Sequence, residues 1–189
     1  LRRPAGLMKK ADDRPELFLA KITTPRLALV CLTPAQLLAL LETRERLDQI
    51  TGCEITRAAL TPIVHRAIRM KLKKMETAPP ADHAWFSYWL IVIQETRFGA
   101  GLIGFKGIPA GPSDVEIGYG IDPACQKRGF TTEAVRALAD WAFTDERCTG
   151  IYTDVSKTNP ASNKVLEKAG FRRVSDTDEK TFWRLPRPT

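Results

Sequence analysis

At 189 residues, 43% hydrophobic and 27% charged, the chain can bury one substantial core and is neither disordered nor fibrous in composition. No apolar run reaches the roughly 20 residues that cross a bilayer, and the basic opening Leu1-Arg2-Arg3-Pro4-Ala5-Gly6-Leu7-Met8 lacks the apolar stretch of a secretory signal. The net charge of +7 is uneven: residues 1–76 hold 15 Lys/Arg against 8 Asp/Glu, and residues 77–189 hold 14 against 14. That surplus could attract RNA or a ribosome, but it lacks the interleaved aromatics of a nucleic-acid surface, so a solvated basic face is the simpler reading.

In chain order, residues 1–16 mix Arg, Lys, Asp and Pro without a period and read as a basic tail before a single domain over 17–189. Phe18–Leu32, with Leu27, Leu29 and Cys31 on one face, predicts the first strand. Thr33-Pro34 is an N-cap with Pro at the first helical position, and Leu37, Leu38, Leu40 and Leu41 carry a helix to about Arg46. Residues 47–60, broken by Gly52, predict a short helix or loop. Thr61-Pro62 repeats the cap signal, and Ile63, Val64, Ala67, Ile68, Leu72 and Met75 follow helical spacing up to Pro79-Pro80. His65 and His83 read as surface or structural histidines.

Trp85–Gln94 and Ala100–Ile108 predict a hairpin of strands covered on both faces. Val115–Ile121 predicts a strand that Pro123 stops, and from Thr132 a helix pattern begins with Ala134, Val135, Leu138, Trp141 and Ala142. Gly150–Val155 predicts a buried strand. Asn159-Pro160 opens a helix that Gly170 ends, and Phe171–Val174 with Lys180–Leu185 predicts a final hairpin. Cys31, Cys53, Cys125 and Cys148 form no Cys-x-x-Cys pair and have no histidine at ligand spacing. Neither a disulfide framework nor a metal is expected, and the compartment expected is the cytoplasm. Cys125 reads as a small filler, with a reactive thiol as the alternative.

Between the strand at Val115–Ile121 and its helix lies Gln126-Lys127-Arg128-Gly129-Phe130-Thr131. The first turn of a helix has N–H groups without carbonyl partners, and its dipole places positive charge there. Gly129 permits close approach or a positive φ, and Lys127 and Arg128 add full charges. Such a loop suits a phosphate; an ordinary connection with a solvated basic pair is the alternative.

Three blocks carry a family resemblance. Gln126-x-x-Gly129-x-Thr131, after a strand ending in Asp122-Pro123, resembles the acetyl-CoA pyrophosphate loop of the GNAT superfamily of N-acetyltransferases. Asn159-x-x-Ser162 followed by Glu167-Lys168-Ala169-Gly170-Phe171 resembles the ribosomal-protein-alanine N-acetyltransferase branch, and Thr24-Pro25-Arg26-Leu27-Ala28-Leu29 resembles its opening strand. With the hairpin at Trp89–Gly104, the likeness covers residues 22–184.

The resemblance implies an α/β (α+β) fold: a mixed, mostly antiparallel sheet of about six to seven strands with helices on both faces. It implies transfer of acetyl from acetyl-CoA to a primary amine, with a protein or peptide N-terminal α-amine preferred. A small-molecule amine, or a non-catalytic acyl-CoA-binding module, is the alternative. It implies cofactor contacts from Ile121, Gln126, Lys127, Arg128, Gly129, Phe130, Thr131, Asn159 and Asn163. The strand ending at Ile121 should splay from the one at Gly150–Val155, admitting the pantetheine arm and leaving an amide to polarise the thioester carbonyl.

For the amine, Glu116 shares a strand face with Gly118 and Gly120. Between apolar layers its carboxylate would suit general-base work; a structural carboxylate held by backbone or by Arg26 is the alternative. Where many family members carry a tyrosine for the departing thiolate, this chain has Leu166. Ser162 matches the branch's serine and could donate to sulfur or cap its helix near Asn159, and Tyr119 is a further candidate. Thr131 replaces the family's Gly or Ala and offers a hydroxyl to phosphate.

Overall fold

In a computed structural model, which describes residues 19–42 and 52–188, strand β2 (Leu27–Cys31) shows how the core is arranged. All five of its residues are buried. Leu27, Leu29 and Cys31 join one apolar cluster, and Val30 with the following Leu32 joins another. The alternation of side chains along a strand therefore feeds two cores, one on each face of the sheet.

Among the described residues, nine strands form that sheet: β1 (Ala20–Thr23), β2, β3 (Glu54–Ile55), β4 (Trp89–Ile93), β5 (Phe98–Phe105), β6 (Ser113–Ile121), β7 (Cys148–Ser156), β8 (Arg172–Asp176) and β9 (Lys180–Pro186). Their order is β1-β2-β4-β5-β6-β7-β9-β8, with β3 beside β5. Only β6–β7 and β3–β5 run parallel. The mixed, mostly antiparallel sheet is as expected, with two more strands than the upper count. One arises because Phe18–Leu32 is broken: Pro25 lacks an N–H, and the Thr24 hydroxyl accepts from the Leu27 amide at 3.0 Å, closing a turn between β1 and β2. The other, β3, lies in the stretch expected as helix or loop. It pairs with Phe98 and Gly99 of β5, before β6 joins at Gly101.

Helices α1 (Pro34–Ala39), α2 (Pro62–Met75) and α3 (His83–Phe86) precede β4; α4 (Phe130–Ala142) and α5 (Pro160–Ala169) follow β6 and β7. Thr33 and Thr61 cap α1 and α2 as their sequence indicates, the first within a full capping box. The helix expected to reach Arg46 ends at Ala39, and residues 43–51, like the tail at 1–16, lie outside the described residues. Trp85 belongs to α3 rather than to a strand. Its apolar run could not distinguish the two; its ring packs 5.1 Å from Phe105 and 4.8 Å from Trp141. Ala134, Val135, Leu138 and Ala142 of α4 and Leu166 of α5 fill one cluster, and Leu37, Ile68 and Met75 fill the other. Each such buried large side chain contributes about 1.5–3 kcal/mol.

Candidate functional site

β6 and β7 leave the sheet's regular pattern together. They pair from Ser113↔Cys148 to Glu116↔Tyr152, and no pairing follows. Above that point β6 stays bonded to β5 through Gly101↔Ile121, while β7 stays bonded to β9 through Ser156↔Lys180. The splay expected between these strands is therefore present. The Lys106 amide donates to the Glu116 carbonyl, and the Asp122 amide to that of Ala100. Backbone groups alternate along a strand, so those of Tyr119 and Ile121 face the gap instead.

A cleft of about 370 Å³ opens there, lined by Tyr119 and Ile121 on the strand side, by Asn159, Ser162 and Val165 of the α5 region, and by the loop before α4. That loop starts at Asp122, whose carboxylate accepts from the Thr56 hydroxyl and from the Ala124 amide at 2.8 Å. Those bonds, against a small effect of burial, hold its carboxyl below the usual range. After a short 3-10 turn at Pro123–Cys125, Lys127 and Gly129 take left-handed φ values of 60° and 80°. Gly129 is the N-cap of α4, and no side chain caps it. Among the described residues, the amides of Phe130, Thr131 and Thr132 meet no acceptor.

These features fit acetyl-CoA. Open strand edges at Tyr119 and Ile121 suit the amides of a pantetheine arm, and the uncapped helix start suits a diphosphate. Lys127, Lys164 and Lys168 line the same cleft and add positive charge. The Cys125 thiol also lines it, but burial foremost, with the Asp122 charge, pushes its ionisation up, which suits a filler better than a nucleophile.

Of the residues anticipated for the cofactor, Ile121, Gln126, Lys127, Gly129, Phe130, Thr131 and Asn159 line the cleft. Two do not. Arg128 lays its guanidinium over the Phe130 ring, 4.7 Å from the centroid, with its carbonyl held by Arg26. Asn163 is committed inside the protein: its Nδ2 donates to the carbonyls of Asn159 (2.9 Å) and Ser156 (3.2 Å), and its Oδ1 accepts from the Trp183 indole (2.9 Å).

A second cleft, about 270 Å³, adjoins the first and shares Tyr119, Asn159 and Ser162 with it. Glu116, Gly118 and Asp154 line it. Glu116 is not set between apolar layers. Its carboxylate is ion-paired with Lys106, whose own side chain is 64% exposed. Arg26, the other partner considered for Glu116, is bonded to Glu133. Asp154 is paired with Lys180 at 2.7 Å. Each of these two carboxylates thus has an exposed lysine partner, in a surface ion pair that contributes little to stability.

The Tyr119 hydroxyl donates to the Ser162 carbonyl at 3.3 Å, and burial, only partly offset by that bond, pushes its ionisation to about 12. The helix cap belongs to Asn159, whose Oδ1 accepts from the Ser162 amide at 3.1 Å. Ser162 is thus the capped residue, and its hydroxyl meets no partner among the described residues. Leu166 is fully buried in the core.

Sequence reading passed over Thr56, Lys106, Asp154, Lys164 and Lys168. The last two carried a usable signal, because Ala161, Lys164, Val165 and Lys168 follow one helical face. Thr56 and Asp154 carried none, since each is defined by a partner elsewhere in the chain.

The sequence profile of the Acetyltransferase (GNAT) domain matches residues 26–172. The "Uncharacterized N-acetyltransferase YjdG" of Bacillus subtilis is 31% identical over 98 residues, which are 52% of this chain and 58% of that protein. The match thus spans little more than half of that relative's length. The ribosomal-protein-S5-alanine acetyltransferase of Vibrio fischeri superposes with a TM-score of 0.61 at 17% identity, over 89% of this chain and 97% of that one. A dodecameric spermidine N-acetyltransferase from Vibrio cholerae superposes with a TM-score of 0.59 at 16% identity, over 87% and 95%. At these identities the structural likeness shows the shared fold. Among the described residues no helix is long and apolar enough to cross a membrane, and no group of His, Cys, Asp and Glu could hold a metal ion.

Proposed function

The chain belongs to the GNAT acetyltransferase family, whose co-substrate is acetyl-CoA, and from that premise we propose that it acetylates the N-terminal α-amine of a protein or peptide. The observation that carries this reading is the meeting of two clefts at Tyr119, Asn159 and Ser162, one lined by an uncapped helix start and lysines and the other by carboxylates. A donor and an amine held in the two would approach each other at the open part of β6, in a ternary complex.

Acetyl-CoA supplies an activated acyl thioester. The chain's own groups then divide the work. The amides of Phe130, Thr131 and Thr132, with Lys127, hold the diphosphate, and the Thr131 hydroxyl adds a donor. The Tyr119 and Ile121 backbone groups hold the arm, and an amide there polarises the thioester carbonyl. Glu116, on release from Lys106, accepts the amine's proton directly or through a water. The departing sulfur meets the hydroxyl of Ser162 and, on its release from the Ser162 carbonyl, that of Tyr119, which stays protonated over the working range. Neither is the family's usual phenol, which Leu166 replaces.

An α-amine suits this machinery because its ionisation lies near pH 8. At neutral pH far more of it is unprotonated than of a lysine, whose ordinary value is near 10.4. Cys31, Cys125 and Cys148 are free thiols, in keeping with a cytoplasmic place of action.

The test is release of CoA thiol from acetyl-CoA with three acceptor sets: peptides with free N-termini, the same peptides N-blocked but retaining lysine, and small amines including polyamines. Release with the first set alone is the expected result. Release with small amines alone moves the acceptor to that class, and CoA binding without release from any set identifies a binding module.

A further inference from the structure

The loop that frames the cofactor cleft is held from behind by a residue to which acetyl transfer assigns no task. Arg26, just before β2, sends Nη1 to the Arg128 carbonyl at 2.9 Å. Its Nε donates to Glu133 at 2.7 Å, and its Nη2 lies 2.7 Å from the same carboxylate. Glu133 stands in the first turn of α4. Its other oxygen accepts from the Arg26 amide at 3.0 Å and the Thr24 hydroxyl at 2.6 Å. The guanidinium also lies 4.8 Å from the centre of the Phe130 ring, and a Cβ on Gly129 would come within 3.3 Å of its Nη2. One side chain thus contacts Arg128, Phe130 and Glu133 and lies where a side chain at position 129 would meet it.

Peptide geometry gives this arrangement a consequence for the cleft. In a trans amide, the carbonyl and the next N–H point in opposite directions. Binding the Arg128 carbonyl from the Arg26 side turns the Gly129 amide away from Arg26. Gly129 lines both the cofactor cleft and the neighbouring hollow that Arg26 lines. The Arg128–Gly129 peptide leads into left-handed Gly129, φ 80°, one residue after left-handed Lys127, φ 60°. A glycine there lets the peptide turn over at little steric cost. Turned over, it would present a carbonyl oxygen to an anion where an amide is needed.

We propose that Arg26 is a positioning residue for the diphosphate of acetyl-CoA, pinning the Arg128–Gly129 peptide so that the Gly129 amide faces the cleft. This rests on the cleft being the acetyl-CoA site. Arg26 lines the neighbouring hollow and not the cofactor cleft, so it acts on the loop through Arg128 and Glu133 rather than as a phosphate-binding cation. Burial raises the Glu133 carboxyl, but the bonds from Thr24 and Arg26 more than offset this and leave it below its ordinary value. It therefore stays charged at neutral pH and holds two guanidinium nitrogens on its Oε2 while a third reaches Arg128, an arrangement that a lysine's single ammonium cannot reproduce.

The experiment compares CoA with S-acetylpantetheine, which lacks the diphosphate, on Arg26→Met and Arg26→Lys. CoA affinity is measured by calorimetry and S-acetylpantetheine by ligand-observed NMR, with a melting curve for each protein. Arg26→Met should weaken CoA about tenfold or more and leave S-acetylpantetheine within about twofold of wild type. Arg26→Lys keeps a charge for Glu133, but one ammonium cannot also reach the Arg128 carbonyl in the same geometry. It should therefore show the same selective loss, and it decides the matter if the methionine variant does not fold. Unchanged CoA affinity in Arg26→Lys overturns the proposal, as does a parallel loss for both ligands, which marks general loosening. Failure of the wild-type chain to bind CoA overturns the acetyl-CoA reading and this proposal with it.

Discussion

The lower and upper halves of β6 have unlike surroundings on their β7 side. From Ser113 to Glu116 the strand is paired with β7, and side chains tighten the join. Asp114 accepts from the Arg184 guanidinium, Nη2 at 3.0 Å, and from the Thr149 hydroxyl at 2.8 Å, tying β6 to β7 and β9. At Gly150 there is no room for a side chain: a Cβ would lie 2.7 Å from Asp114 and 2.8 Å from Arg184. In the upper half, Cβ atoms added to Gly118 or Gly120 would meet nothing within 4 Å. The same strand is thus a structural seam at one end and, on its β7 side, an unpaired edge at the other. What separates them is whether a neighbouring strand or a ligand satisfies the backbone.

The comparison can be broken most sharply in the open half. Glu116→Gln should cut turnover by roughly 10²–10⁴ and leave acetyl-CoA affinity near wild type, because the amide keeps the shape but takes no proton. The loss should shrink at high pH, where the acceptor is already neutral. A mutant-to-wild-type rate ratio near one at two pH values, on folded protein, removes Glu116 from the chemistry.

In the seam, stability is the readout. Asp114→Ala should lose about 1.5–3 kcal/mol by chemical denaturation at neutral pH, with CoA affinity preserved. The Arg184 bond foremost, with Thr149 and against burial, holds the Asp114 carboxyl below its usual value. A depressed folded value means a contribution present in full above the unfolded value, near pH 3.9, and lost as pH falls through the folded one. The gap between wild type and variant should therefore persist at neutral pH and close only in strong acid. A gap that instead grows on acidification contradicts this account.

A smaller effect belongs to the helix that closes the cleft. Gly129→Val should weaken CoA about tenfold, since a β-branched residue is strained at φ 80° and crowds both the cradle and Arg26. Calorimetry that finds wild-type affinity would remove this loop from the binding site. Smallest is the pair at the start of α5. Asn159→Ala should cost about 1 kcal/mol of stability as the lost cap. Ser162→Ala should stay within about 0.5 kcal/mol, and its turnover should fall only if the hydroxyl serves the departing sulfur. Melting curves beside steady-state rates separate the two, and a larger stability loss at Ser162 than at Asn159 would reassign the cap.

Elements whose causes lie within a few residues were legible from the chain alone. The caps at Thr33, Thr61 and Asn159 each bond an amide three residues ahead, and Gly170 ends α5 with a left-handed φ of 96°. The basic, glycine-containing turn before α4 was legible for the same reason, and it lies where a phosphate loop would. Its helix begins at Phe130, two residues earlier than its apolar period, because buried Phe130 anchors the first turn from below. Other features depended on partners far along the chain. Arg26 finds Glu133 across 107 positions, Asn163 is consumed by Trp183 from a later strand, and Glu116 meets Lys106 across a hairpin. No periodicity encodes these meetings, because hydrophobic pattern places a residue on a face but does not say which polar group will stand opposite. Local hydrogen bonding and the spacing of apolar residues thus sufficed for most of the strands and helices and for the turn before α4, while the sheet's architecture came from the family resemblance. The surroundings of Glu116, the ties that close the lower half of β6, and the brace behind the loop were decided only when the packed strands brought distant side chains together.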